Sequence, residues 1–255
     1  MSKETAMILW FDELEMKDVP LVGGKSASLG EMTTKTQVPV PYGFATTAEA
    51  YRIFLRASGL DQKIQDLVTE LNDDVENGQK LREVCEKIRE SIIKAPMPKE
   101  IAEEIRVAYG KLAERVGEEN PYVAIRSSAT AEDLPDASFA GQQESYLNIT
   151  GPDEVIHKVQ ECYASTFTDR AVYYRTKKGF DHLEVALSAV VQMMVFSEAS
   201  GVMFTVDVAN GDDTKVMIEA AWGLGEYVVQ GIVTPDCYWV NKADLTVAKK
   251  DIVMQ

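Results

Sequence analysis

The segment Asn120-Pro-Tyr-Val-Ala-Ile-Arg-Ser-Ser-Ala-Thr130 separates two textures within the 255-residue chain. The Asn-Pro pair marks a break, because the residue before a proline is pushed out of the helical region. Tyr122 to Arg126 then reads as a strand rich in β-branched and aromatic residues. Ahead of the break the apolar residues recur with a helical period: Ile64, Leu67, Val68 and Leu71, then Leu81, Val84, Cys85, Ile88 and Ile92, then Ile101, Ile105, Ala108 and Leu112. An earlier helix is expected where Thr46 and Glu49 form a capping box before Ala50, Tyr51, Phe54 and Ala57.

Behind the break the pattern turns to strands over Tyr146–Ile149, Val185–Val195, Gly201–Val206, Val216–Ala221 and Cys237–Val240, with one amphipathic helix from Glu154 to Phe167. Asn210-Gly211 between two strand patterns predicts a hairpin. The expectation is an α+β chain, with a mostly helical subdomain over 1–120 followed by a sheet-rich subdomain over 121–255, its sheet mixed or antiparallel.

A hydrophobic fraction of 45% with 26% charged residues is that of a folded globular protein. The net charge of -15 opposes binding to nucleic-acid backbones or anionic lipid surfaces, so neither is an expected partner. The longest apolar stretch, Val185 to Phe196, falls short of the roughly 20 residues that span a bilayer. The first residues lack the basic, apolar and small-residue succession of a signal peptide, which points to a cytoplasmic address. Cys85, Cys162 and Cys237 are too scattered for a disulfide framework or zinc site and read as reduced thiols. His157 and His182 lack metal-ligand or nucleophile-triad spacing, which leaves no metal ligand assigned and oxygen-ligated magnesium open.

In an acidic protein an anionic ligand depends on a few local cations. Lys25, in Gly23-Gly24-Lys25-Ser26, stands at the start of a helical pattern, where the macrodipole disfavours a cation unless an anion is bound. A full phosphate-loop pattern fails, since Val19 stands where it needs Gly; a solvated lysine after a tight turn is the structural alternative. Arg126 closes an apolar strand and serves either a ligand or a structural ion pair. The segment from Ser127 to Glu144 lacks periodicity and exceeds the length of ordinary connections, so it reads as a lid or binding loop, with Ala140-Gly141-Gln142 offering close backbone approach. Gly223-Leu-Gly225 resembles the start of a dinucleotide fingerprint but has Val228 where the last Gly should fall, and tight packing after a strand is the better reading. Gln192 interrupts an apolar strand and either makes a core hydrogen bond or meets the edge of an adenine.

Taken together, Leu21-Val-Gly-Gly-Lys-Ser-Ala-Ser-Leu-Gly-Glu-Met32, Val38-Pro-Val-Pro-Tyr-Gly-Phe-Ala-Thr-Thr47, the run from Ala124 to Glu144, Ser200-Gly-Val-Met-Phe-Thr205, Ala221-Trp-Gly-Leu-Gly-Glu226 and Gly231-Ile-Val-Thr-Pro-Asp236 resemble the N-terminal domain of the phosphoenolpyruvate synthase (pyruvate, water dikinase) family. The resemblance covers nearly the whole chain. Pyruvate, phosphate dikinases and rifampicin phosphotransferases share shortened forms of these motifs. The resemblance implies an ATP-grasp fold with ATP between two subdomains. It implies that Lys25 touches the phosphates, that Arg126 neutralises charge as the phosphoryl group departs, and that Ala140, Gly141 and Gln142 cover the phosphates with backbone amides. It further implies that the strand of Gln192, Met193, Met194 and Val195 flanks the adenine.

The family's chemistry moves the β-phosphoryl group of ATP, with Mg²⁺, to a histidine on a mobile domain and then to pyruvate at a C-terminal barrel. AMP and phosphate leave. Neither the Thr-x-His setting of the carrier histidine nor the acidic and Gln-x-Arg strand that binds metal and phosphates occurs up to Gln255. The expectation is therefore the front of such a domain, with Mg²⁺ ligands mostly beyond Gln255 and no complete reaction by this chain alone. An antibiotic-phosphorylating relative, or a stand-alone nucleotide-binding protein without the chemistry, are the alternatives.

Overall fold

The computed structural model describes residues 2–71, 74–130 and 145–253, and between 130 and 145 only the backbone of 133–134 and 137–138. The helices are α1 (Val19–Lys35), α2 (Ala48–Ala57), α3 (Leu60–Leu71), α4 (Gly78–Lys94), α5 (Lys99–Val116), α6 (Pro152–Ser165), α7 (Asp169–Lys178) and α8 (Glu226–Val229). The strands are β1 (Ile8–Trp10), β2 (Gly43–Thr46), β3 (Val123–Ala129), β4 (Asp133–Leu134), β5 (Ala137–Ser138), β6 (Ser145–Ile149), β7 (Leu187–Met193), β8 (Ala199–Phe204), β9 (Lys215–Trp222), β10 (Asp236–Asn241) and β11 (Val247–Asp251). The chain is α+β, as the sequence leads one to expect. Compactness divides it into Met1–Met194 and Val195–Gln255. The texture change near Asn120 concerns element type rather than compactness, so the two divisions describe different properties.

In the first unit a five-stranded sheet has the order β1-β2-β7-β3-β6, and every neighbouring pair is antiparallel. Alternation along the strands sends successive side chains to opposite faces. Phe44, Val123, Ile125, Ala129, Leu187, Ala189 and Val191 enter the larger core together with the apolar stripes of α2 to α6. Each large aliphatic side chain buried there contributes about 1.5–3 kcal/mol. Ala45 and Val190 point the other way, into a smaller cluster with Leu9, Phe11, Leu14, Val22 and Ala27, where α1 packs. A Cβ at Gly30 would lie 2.3 Å from Leu14 Cβ, which shows how closely α1 approaches its neighbour.

Tyr109 ties α5 to the sheet. Its hydroxyl donates to Pro121 O at 2.8 Å and accepts from Gly151 N at 2.9 Å, fixing where β3 begins and α6 starts. The helical cap lies one residue later than the Thr46 capping box predicts: Thr47 caps α2, its Oγ1 accepting from Ala50 N at 3.2 Å. Thr46 instead ends β2, and its buried hydroxyl accepts from Ala189 N at 2.9 Å. Pairing with β7 outweighs the local cap signal. β3 also runs through Ser127, Ser128 and Ala129, which the sequence assigns to a loop. Those serines keep strand geometry because they pair with Ala189 and Ser188 of β7.

The second unit is a four-stranded antiparallel sheet of order β11-β10-β9-β8, with α8 following β9. Gly201 sits opposite Ala220, and a Cβ there would lie 2.3 Å from Glu219 O. The connection from β8 to β9 turns at Asn210-Gly211, where Gly211 adopts φ 76° and its N–H reaches Asp207 O at 2.8 Å. Among the described residues, no helix is long and apolar enough to cross a membrane.

Candidate functional site

The site is built where α1 meets the ends of β3 and β7. α1 is broken at Gly23, whose φ of 74° and ψ of 167° are non-helical and belong to a region open almost only to glycine. The helix restarts at once, so Lys25 lies in a fresh N-terminal turn. Ser128 holds both sides of the break, its Oγ donating to Val22 O at 2.9 Å and accepting from Ser26 N at 3.4 Å. Ser26 Oγ lies 3.4 Å from Ser188 Oγ of β7. Lys25 Nζ donates to Ser127 O at 3.4 Å, which sets this cation beside Arg126 although the two residues are far apart in sequence.

Register explains the rest. Arg126 pairs with Val190 and Ala124 with Gln192, so Arg126 and Gln192 share one face as diagonal neighbours, within reach of long side chains. The Arg126 Nη2 donates to Gln192 Oε1. Gln192 is buried, and its Nε2 donates to Pro41 O at 3.2 Å. Lys25, Ser127, Arg126, Gln192 and Pro41 therefore form one connected polar strip on the α1 side of the sheet. The core hydrogen bond considered for Gln192 is present.

Met194 and Val195 follow β7. Met194 is buried and donates its N–H to Tyr122 O at 2.8 Å, while Val195 is exposed. Met193 N donates to Tyr42 O at 2.9 Å. Ala140, Gly141 and Gln142 lie outside the described residues.

The sequence does not single out Ser128, which holds the turn that bears Lys25, or Pro41, whose carbonyl holds the Gln192 amide. A serine inside a strand and a proline in an extended loop carry no chemical signature. Only the Gly-Gly pair before Lys25 hints that something approaches closely there.

Away from this strip, His182 is buried beside the fully buried Arg175. Arg175 Nε donates to His182 Nδ1 at 3.1 Å and its Nη2 to Thr166 O at 2.6 Å. Burial, and then the guanidinium charge, push the His182 pKa down to about 4, so it is neutral at pH 7. Burial lowers that of Arg175 to about 10, and it stays charged. The pair is a packed structural element, in line with an ordinary role for His182.

A family model described as the pyruvate phosphate dikinase AMP/ATP-binding domain matches residues 19–255. The phosphoenolpyruvate synthase of Pyrococcus furiosus is 49% identical over 97% of this chain and 34% of its own length. A probable phosphoenolpyruvate synthase of Methanocaldococcus jannaschii is 51% identical over 96% of this chain and 20% of its own length. The phosphoenolpyruvate synthase of Synechocystis sp. is 51% identical, with 98% of this chain and 32% of the relative covered. The chain thus spans between a fifth and about a third of the length of these relatives.

Proposed function

Because the chain belongs to the pyruvate phosphate dikinase AMP/ATP-binding domain family, we propose that it binds ATP on the α1 side of its five-stranded sheet, as the nucleotide-binding portion of a phosphoenolpyruvate synthase-type dikinase. The observation that carries this reading is that Lys25 Nζ bonds the carbonyl of Ser127, the residue after Arg126 on β3, in a protein of net charge -15. A cation in a helix-start turn, with a second on the adjoining strand, gives a polyphosphate a local attraction that the overall field opposes.

In this reading Lys25 holds the terminal phosphates, and Arg126, with its planar fork of donors, neutralises charge on the phosphoryl group that departs. The segment with Ala140, Gly141 and Gln142 covers the phosphates with backbone amides. The end of β7, with Gln192, Met194 and Val195, lies on the adenine side. The phosphoryl acceptor is a histidine on another domain of the whole enzyme, and pyruvate is the substrate of a further one. The protein acts in the cytoplasm.

Among the described residues no group of three His, Cys, Asp or Glu gathers to hold a metal ion. These residues do not supply a cage for Mg²⁺. Mg²⁺ enters as the counter-ion of ATP.

Equilibrium binding of Mg·ATP to the purified chain tests the reading. Lys25→Ala and Arg126→Ala should each weaken binding about tenfold or more, the cost of one charge-assisted phosphate contact. Affinity unchanged in both variants would remove the site from this face.

A further inference from the structure

We propose that Gln192 is a positioning residue for Arg126 rather than a reader of the nucleotide base, an inference that rests on the ATP-site reading above. A glutamine amide has one acceptor oxygen and one donor nitrogen, and here each has a partner of the matching kind. The oxygen accepts from the Arg126 guanidinium, and the nitrogen donates to Pro41 O at 3.2 Å. Turning the amide over would set its NH₂ against a cation and its oxygen against a carbonyl, so these two partners fix a single orientation.

The strand register prepares this contact. Gln192 lies opposite Ala124 on β3 and opposite Gly43 on β2, and neither neighbour fills the space beside it. A Cβ on Gly43 would lie 2.5 Å from both Val191 O and the Phe11 ring, so the lane beside Gln192 stays narrow. Arg126, two residues beyond Ala124, lies across that lane. Both amide groups are engaged by protein partners at a residue only 7% exposed, and turning the amide away from Arg126 toward a base would break a charge-assisted hydrogen bond and strand a buried polar group. Gln192 sits on the strand that leads toward the base, yet its effect is exerted at the phosphate end through the guanidinium.

The experiment measures the affinities of adenosine, ATP and GTP for the chain carrying Gln192→Ala and, to preserve side-chain volume, Gln192→Met, and follows the Arg126 Nε–H resonance by NMR. In both variants ATP binding is expected to weaken about tenfold while adenosine affinity and the ATP-to-GTP ratio hold. Adding Arg126→Ala should then cost little more than Arg126→Ala alone. A changed ATP-to-GTP ratio, a matching loss for adenosine, or fully additive losses would overturn the proposal. Should the wild-type chain bind no ATP, the ATP-site reading fails, while the Arg126 resonance still decides: a moved or broadened signal in both variants supports the positioning role, and an unchanged one overturns it.

Discussion

A Cβ built on Gly23 would lie 2.3 Å from Ser128 Oγ and 2.5 Å from Ser128 O, so the break in α1 is pressed directly against β3. The same serine hydroxyl bonds both sides of the break, at Val22 O and Ser26 N. This contact fixes the helix turn that bears Lys25 at the strand that bears Arg126. Gly23→Ala must therefore meet both a steric conflict with backbone and an unfavourable φ, a combination expected to cost about 2 kcal/mol or more. Urea unfolding should show that loss, and ATP affinity of the folded fraction should fall with it. Unchanged stability would mean that the α1 break is not held as described.

The pH dependence of stability follows from His182. Its folded pKa of about 4 lies below the ordinary 6.5. The unfolded chain therefore binds the extra proton between those values, and stability present above pH 6.5 is lost as pH falls toward 4. With the unfolded histidine half protonated at pH 6.5, the loss between pH 6.5 and 5 amounts to about 1.5 kcal/mol, in a range where most carboxylates remain ionised. Urea midpoints for wild type should drop across that interval, whereas His182→Asn should flatten the profile. Parallel profiles for the two proteins would contradict the buried, neutral histidine.

Thiol accessibility reports on the core. Cys85 and Cys162 are buried, and burial followed by the nearby Asp169 charge pushes the Cys85 thiol up to about 12. Cys237 is only partly buried, its pKa raised mainly by burial. Since the thiolate is the reactive form, a disulfide reagent at pH 8 should modify native protein slowly and at Cys237 alone, and at all three cysteines after denaturation. Rapid native reaction of two thiols would be inconsistent with α4 and α6 packed as described.

Much of this architecture was legible in the sequence because its elements are strongly periodic. The stripes of α3, α4 and α5 and the apolar runs of β7 and β9 matched the structure to within a few residues. What was missed depends on distant partners. β2 is a strand because it pairs with β7, and β1 because it pairs with β2; Thr46 serves the contact with β7 while Thr47 takes the cap. α7 was overlooked because its apolar residues are few, and its stability leans on the buried Arg175. Lys25 and Arg126 stand out in the sequence as cations in suggestive places, but the carbonyl of Ser127 that holds Lys25 and the amide that holds Arg126 are visible only in three dimensions.

The central claim is that nucleotide binds on the α1 side of the five-stranded sheet, and amide chemical-shift mapping with Mg·ATP tests it most directly. Titration should move the resonances of Gly24, Lys25 and Ser26, of Arg126, Ser127 and Ser128, and of Met193 and Met194, and Lys25→Ala should diminish those shifts together. Binding accompanied by shifts confined to the helices α3 to α5, with these three segments silent, would contradict the account.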